Sequence, residues 1–209
     1  MKKLFGNISM RWLYVILFAV GTGVYTGLVL CVPTLKGTSF QDIGIGYEWW
    51  VLFGVIVAVN CKKGWEAALK CFVFFLISQP VVYLVEMVCS QMTIEKAWLY
   101  YRQMWLPMTL LTLPGGFIAY FAKKQNAWGA IVLSIGNTIE GLMAASHIAN
   151  ATDHFPHHIL SAAVSVAAIF VMTLCVQKTK TYRIVTFVLT AVFVAALLIY
   201  MKVQGLALY

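Results

Sequence analysis

"WLYVILFAVGTGVYTGLVLCVPTL", residues 12–35, runs from Trp12 to Leu35 without one charged side chain. A helix needs about 20 mostly apolar residues to cross the hydrocarbon core of a bilayer, and this run suffices. It is too long for the apolar region of a secretory signal and no small-residue cleavage site ends it. Met1-Lys2-Lys3 therefore reads as the flank of a retained first span. The whole chain has the same character: of 209 residues, 62% are hydrophobic and 11% charged, and the mean hydropathy is +0.86. Soluble domains carry roughly 25% charged residues. A chain this short has too much surface for its volume to hide so much apolar material in one core. The expected class is an integral membrane protein.

Six further runs follow at about 43–61, 70–90, 104–122, 127–148, 158–177 and 183–202. With connectors this short, consecutive spans should be antiparallel neighbours. The expected fold is all-α: a polytopic transmembrane helix bundle of about seven spans, one domain over 1–209, with no internal repeat. If the N-terminus is cytoplasmic and the C-terminus outside, the inner side receives Lys2, Lys3, Arg11, Lys62, Lys63, Lys70, Lys123, Lys124, Lys178, Lys180 and Arg183. The outer side receives Lys36, Lys96, Arg102 and Lys202. Eleven against four is a strong positive-inside bias. The net charge of +8 is thus a matter of topology and anionic inner-leaflet lipid, and nucleic acid is not an expected partner.

The connector "CSQMTIEKAWLYYRQMW" (89–105) is amphipathic at helical spacing and should lie along the outer interface, with a gating lid as the alternative. Cys61, Cys71 and Cys175 fall at cytoplasmic ends, where thiols stay reduced. Cys31 and Cys89 both fall near the outer face, where a disulfide is conceivable.

Ionisable groups inside a span cost roughly 2.5–3.5 kcal/mol and mark a pathway, pocket or partner. Glu140 lies near the middle of the fifth span. Asn137, Glu140, Ala144 and His147 follow at i, i+3, i+7 and i+10, so they share one helix face, which Ser134 extends; Ile131, Ile135, Ile139 and Leu142 point elsewhere. Gln79, Tyr83 and Glu86 repeat the pattern on the third span, where Pro80 removes a backbone hydrogen bond. Glu48 lies at the outer end of the second. Should these faces converge, they form a carboxylate-lined cavity suited to a cation, a protonated amine or a proton relay. The run Pro114-Gly115-Gly116 is expected to break the fourth span, giving a hinge or backbone ligands.

All four histidines cluster late: His147 ends the fifth span, and His154, His157 and His158 follow Asp153 in the outer loop. Asp153, His154, His157 and His158 are the candidates for a metal, but their spacing matches no zinc motif. Around Pro156 the loop reads better as a helix entry. No metal site and no cofactor is expected. Walker, GxSxG and HExxH motifs are absent, and no lysine lies mid-span to hold retinal.

The early glycine-rich span "GTGVYTG" (21–27), "YEWWVLFGVIVAV" (47–59), "PGGFIAYFAKKQNAWGA" (114–130) and the Glu140-Gly141 pair give the chain a resemblance to a group of small polytopic bacterial membrane proteins of unknown function. It implies a bundle in the cell membrane, and no activity. The leading functional expectation is a small transporter or permease subunit. In it Glu140 and Glu86 bind a cationic or protonated solute, and Asn137, Gln79 and Tyr83 orient it. One alternative is a membrane-embedded enzyme using Glu140 and His147. The other is a non-catalytic immunity, assembly or sensor subunit that docks another membrane protein or a second copy.

Overall fold

A computed structural model describes residues 5–6, 8–89, 92–153 and 158–206, with backbone alone at 47, 48 and 151–153. The described residues form an all-α bundle of nine helices, which make seven candidate spans. The first span is α1 (Trp12–Cys31). The second is in two pieces, α2 (Ser39–Ile45) and α3 (Tyr47–Asn60). The third is α4 (Gly64–Cys89). The fourth is the run Ile94–Lys123, made of α5 (Ile94–Tyr100), a π turn (Tyr101–Trp105), α6 (Leu106–Ala119) and a 3-10 turn (Tyr120–Lys123). The last three are α7 (Ala127–Asp153), α8 (Ile159–Val176) and α9 (Lys180–Val203).

Several boundaries depart from expectation, each for a local reason. The third span starts at Gly64, well before the expected 70, because its charges are paired. Glu66 accepts from the Lys62 and Lys63 amides at the helix start and pairs with Lys70 one turn on, at 2.5 Å. The amphipathic connector continues the fourth span as one helical run from Ile94. Thr93 caps it by accepting from the Lys96 amide. Pro114-Gly115-Gly116 does not break that span, since α6 runs through all three. Gly116 is instead a point of close approach, where a Cβ would come within 2.8 Å of Cys71 Cβ on α4.

The real interruption is in the second span, at Gly46, whose extended backbone (φ −63°, ψ 156°) parts α2 from α3. The short α2 is locked onto α1: Thr26 Oγ1 donates to the Gly44 carbonyl at 3.0 Å. A Cβ on Gly44 would lie 2.5 Å from Val29 Cγ1.

Packing divides the bundle into two halves. α4 packs on α1 and α6; α7 packs on α8 and α9; α3 touches both groups. The α1–α4 contact is a small-residue approach of the kind membrane helices favour, since a Cβ on Gly23 would lie 2.6 Å from the Ser78 carbonyl oxygen. Phe18, Trp50, Phe53 and Phe74 fill the space beside it with ring contacts of 5.1–6.3 Å.

At one end of the bundle α3, the fourth span and α8 finish, and there cations and amides hold their carbonyls. Lys123 Nζ donates to the Cys61 carbonyl at 2.5 Å, and Gln177 Nε2 to that of Ala122 at 2.8 Å. Arg183 Nε donates to the Gln177 carbonyl at 2.6 Å. Lys70, almost fully buried, donates to the Met10 carbonyl as well as to Glu66. Asn60 Oδ1 accepts from the amides of Gly6 and Ile8, pinning the segment just before α1 to this basic end.

Candidate functional site

The polar stripe of α7 faces the protein interior. Ser134, Asn137 and Glu140 are 0% exposed and Ala144 is buried, while Ile135 and Ile139 on the opposite side are exposed. Asn137 Nδ2 donates to Thr173 Oγ1 of α8 at 2.9 Å. Its Oδ1 is buried with no hydrogen-bond partner among the described residues. That acceptor lies one turn, about 4.5 Å of rise, from Glu140.

The stripe of α4 lies in the other half. Gln79 is buried, and its Nε2 has no partner among the described residues; Tyr83 and Glu86 are half-buried, with Tyr83 hydrogen-bonded to Trp105. The side chain of Glu48 lies outside the described residues. Neither of two cavities in the bundle brings these carboxylates together. A cavity of about 790 Å³ at the basic end is lined by Arg11, Lys62, Lys70, Lys123 and Lys178 with Glu66. A second, of about 430 Å³ between α3, α6 and α7, is lined by Trp50, Trp105, Thr109, Leu133 and Ile139 and is almost wholly apolar. Glu86 and Glu140 line neither. Periodicity tells which side chains share a face of one helix; it does not tell which helix that face meets.

The opposite end of the bundle holds a constellation the sequence reading missed. Asp42 on α2, His147 on α7 and His158 at the entrance to α8 meet there, each half-buried, with one ligand atom from each within 4.8 Å of the others. His158 Nδ1 lies 2.5 Å from Asp42 Oδ2, and His147 Nδ1 lies 3.9 Å from the same oxygen. The two imidazoles are nearly parallel, 11° apart with centroids separated by 6.1 Å. Ser161 Oγ donates to Asp42 Oδ2 at 2.8 Å.

Each residue is placed by its own helix. His147 is the last member of the α7 stripe, about 10 Å of rise beyond Glu140. Asp42 sits in the first turn of α2, which Gly44 and Thr26 fasten to α1. His158 has φ 71°, the one positive φ at a non-glycine among the described residues. The left-handed region costs an L-residue about 1–2 kcal/mol, and such strain gathers at functional sites.

Of the metal candidates named from sequence, His158 is in this cluster, His154 and His157 lie outside the described residues, and Asp153 is described by backbone alone. His147 was singled out for the stripe. No spacing in the sequence points to Asp42, which lies 116 residues from His158. Cys31 and Cys89 are free thiols within hydrogen-bonding reach of each other.

No family model, curated protein or solved structure matches this chain. No family is thereby shown for it, and the functional reading rests on the geometry above.

Proposed function

We propose that this multi-pass membrane protein is a small transporter or permease subunit that handles a cation or a proton through Glu140. The observation that carries the reading is the complete burial of the Glu140 side chain in the middle of α7. Burying a carboxylate inside a span is expensive. This one shares its face with the open acceptor of Asn137 and with His147 further along. Two oxygen donors one turn apart suit a small cation or a proton. Glu140 is 0% exposed, so in this conformation a bulky solute has no room beside it, whereas a proton needs none. In this reading the basic end lies on the cytoplasmic side of the cell membrane, as the positive-inside rule favours, and the Asp42–His147–His158 end faces out.

The test is thermal stability of the purified chain between about pH 5 and 8 and with a panel of monovalent cations and amines, for wild type and Glu140→Gln. A ligand that binds the folded state raises its stability. The wild type should respond to pH or to one cation, and the Glu140→Gln protein should lose that part of the response. The same pair in proteoliposomes should then differ at least tenfold in uptake of the responding ion. If both proteins melt alike under every condition and Glu140→Gln is as stable, Glu140 serves helix register and the transport reading is wrong.

A further inference from the structure

We infer that Asp42, His147 and His158 form a binding site for a divalent transition-metal ion of the zinc class, at the end of the bundle opposite the basic cavity. The donor set is two imidazole nitrogens and one carboxylate oxygen. That set suits Zn²⁺ and its neighbours Co²⁺, Ni²⁺ and Cu²⁺, whereas Mg²⁺ and Ca²⁺ require an oxygen-rich shell of six or more. Bonds of 2.0–2.1 Å at tetrahedral angles put ligand atoms about 3.4 Å apart. The present separations from Asp42 Oδ2, 2.5 Å to His158 and 3.9 Å to His147, bracket that value. Side-chain torsions are enough to reach it. The short His158–Asp42 contact is the one that must open, and it is a hydrogen bond whose proton an entering ion replaces.

Two further features mark the cluster as a site. Asp42 Oδ2 also accepts from Ser161 Oγ, the kind of outer hydrogen bond that orients a ligating carboxylate. His158 is held in the left-handed region while its ring reaches the acid. Three protein ligands leave a fourth position open, as in sites that exchange a water or another ligand. The ligands come from three spans, so a bound ion would tie α2, α7 and the start of α8 together. The inference does not depend on the role given to Glu140: Glu140→Gln should leave the ion's affinity unchanged.

The experiment titrates the purified full-length chain with Co²⁺, read by the visible absorption of a four-coordinate ion, and with Zn²⁺ by calorimetry, with Mg²⁺ as the control. One ion per chain should bind, with Zn²⁺ displacing Co²⁺ and Mg²⁺ giving no signal. Asp42→Asn should weaken Zn²⁺ binding at least tenfold, and Ser161→Ala by a smaller factor in the same direction. Should Asp42→Asn fail to fold, His147→Gln takes its place in the test. A wild type that binds neither Co²⁺ nor Zn²⁺, or a folded Asp42→Asn that binds Zn²⁺ as wild type does, overturns the proposal. The latter result would assign any bound ion to other groups.

Discussion

The two ends of the bundle use polar side chains in opposite ways. At the basic end Lys70, Lys123, Gln177 and Arg183 each donate to a backbone carbonyl, closing helix ends and the N-terminal segment. At the other end Asp42, His147 and His158 turn toward one another, and Asp42 Oδ2 takes hydrogen bonds from side chains, those of His158 and Ser161. Charge that satisfies backbone is accounted for by folding alone. Charge gathered on a common point, with one member in a strained backbone conformation, needs another explanation, and ligand binding supplies it.

Thiol labelling tests whether the two ends lie on opposite sides of the membrane. Cys61 sits in the connector at the basic end, where burial, with Glu66 adding to it, pushes the thiol up to about 11 against the opposing pull of Lys70 and Lys123. At pH 8 roughly one molecule in a thousand is then thiolate, the reactive form. Cys89, at the far end of α4, is exposed. A variant retaining Cys89 alone should be labelled by an impermeant maleimide on intact cells at least a hundredfold faster than one retaining Cys61 alone. Labelling of Cys61 and not of Cys89 would reverse the proposed orientation, and equal rates would show that Cys61 is neither buried nor on the protected side.

Gly44→Val should act on one end and spare the other. Its side chain would enter space occupied by Val29 and lift α2 from α1, carrying Asp42 away from the histidines. Overpacking of this kind costs about 1–3 kcal/mol. Zn²⁺ affinity, measured by calorimetry, should fall at least tenfold, and Cys61 should stay unreactive. Conversely, Lys70→Ala leaves the Met10 carbonyl and Glu66 without their cation. It should cost about 2 kcal/mol, seen as a lower melting temperature, and change Zn²⁺ affinity less than twofold. If Lys70→Ala impaired metal binding as strongly as Gly44→Val, the two ends would be coupled and would not act independently.

Much of the architecture is legible in the sequence because the bilayer imposes it. Seven apolar runs predict seven spans, and the α7 periodicity correctly buries Ser134, Asn137 and Glu140 while exposing Ile135 and Ile139. The α1 glycines do permit close approach to α4. Local polar bonding was harder to read. The Glu66–Lys70 pair let the third span start early, and α6 ran through a Pro-Gly-Gly sequence expected to end it. The cluster was not legible, because no spacing rule links Asp42 to His147 and His158. It exists through the fastening of α2 to α1, which depends on an approach between Gly44 and Val29 that only coordinates reveal.

The π turn at Tyr101–Trp105 has a consequence for phase. Tyr101 and Thr109 are eight residues apart and on an unbroken α-helix would point about 80° away from each other. A π turn absorbs one extra residue, which restores a spacing of about two full turns. Both residues are accordingly buried, as is Gly116 beyond them and Ala97 before. The turn acts as a vernier, bringing two stretches of helix with offset patterns onto one face. Deleting a single residue within it would set the two positions seven residues apart, about two turns of ordinary α-helix, so the π turn would become α-helix and the two stretches would stay in phase.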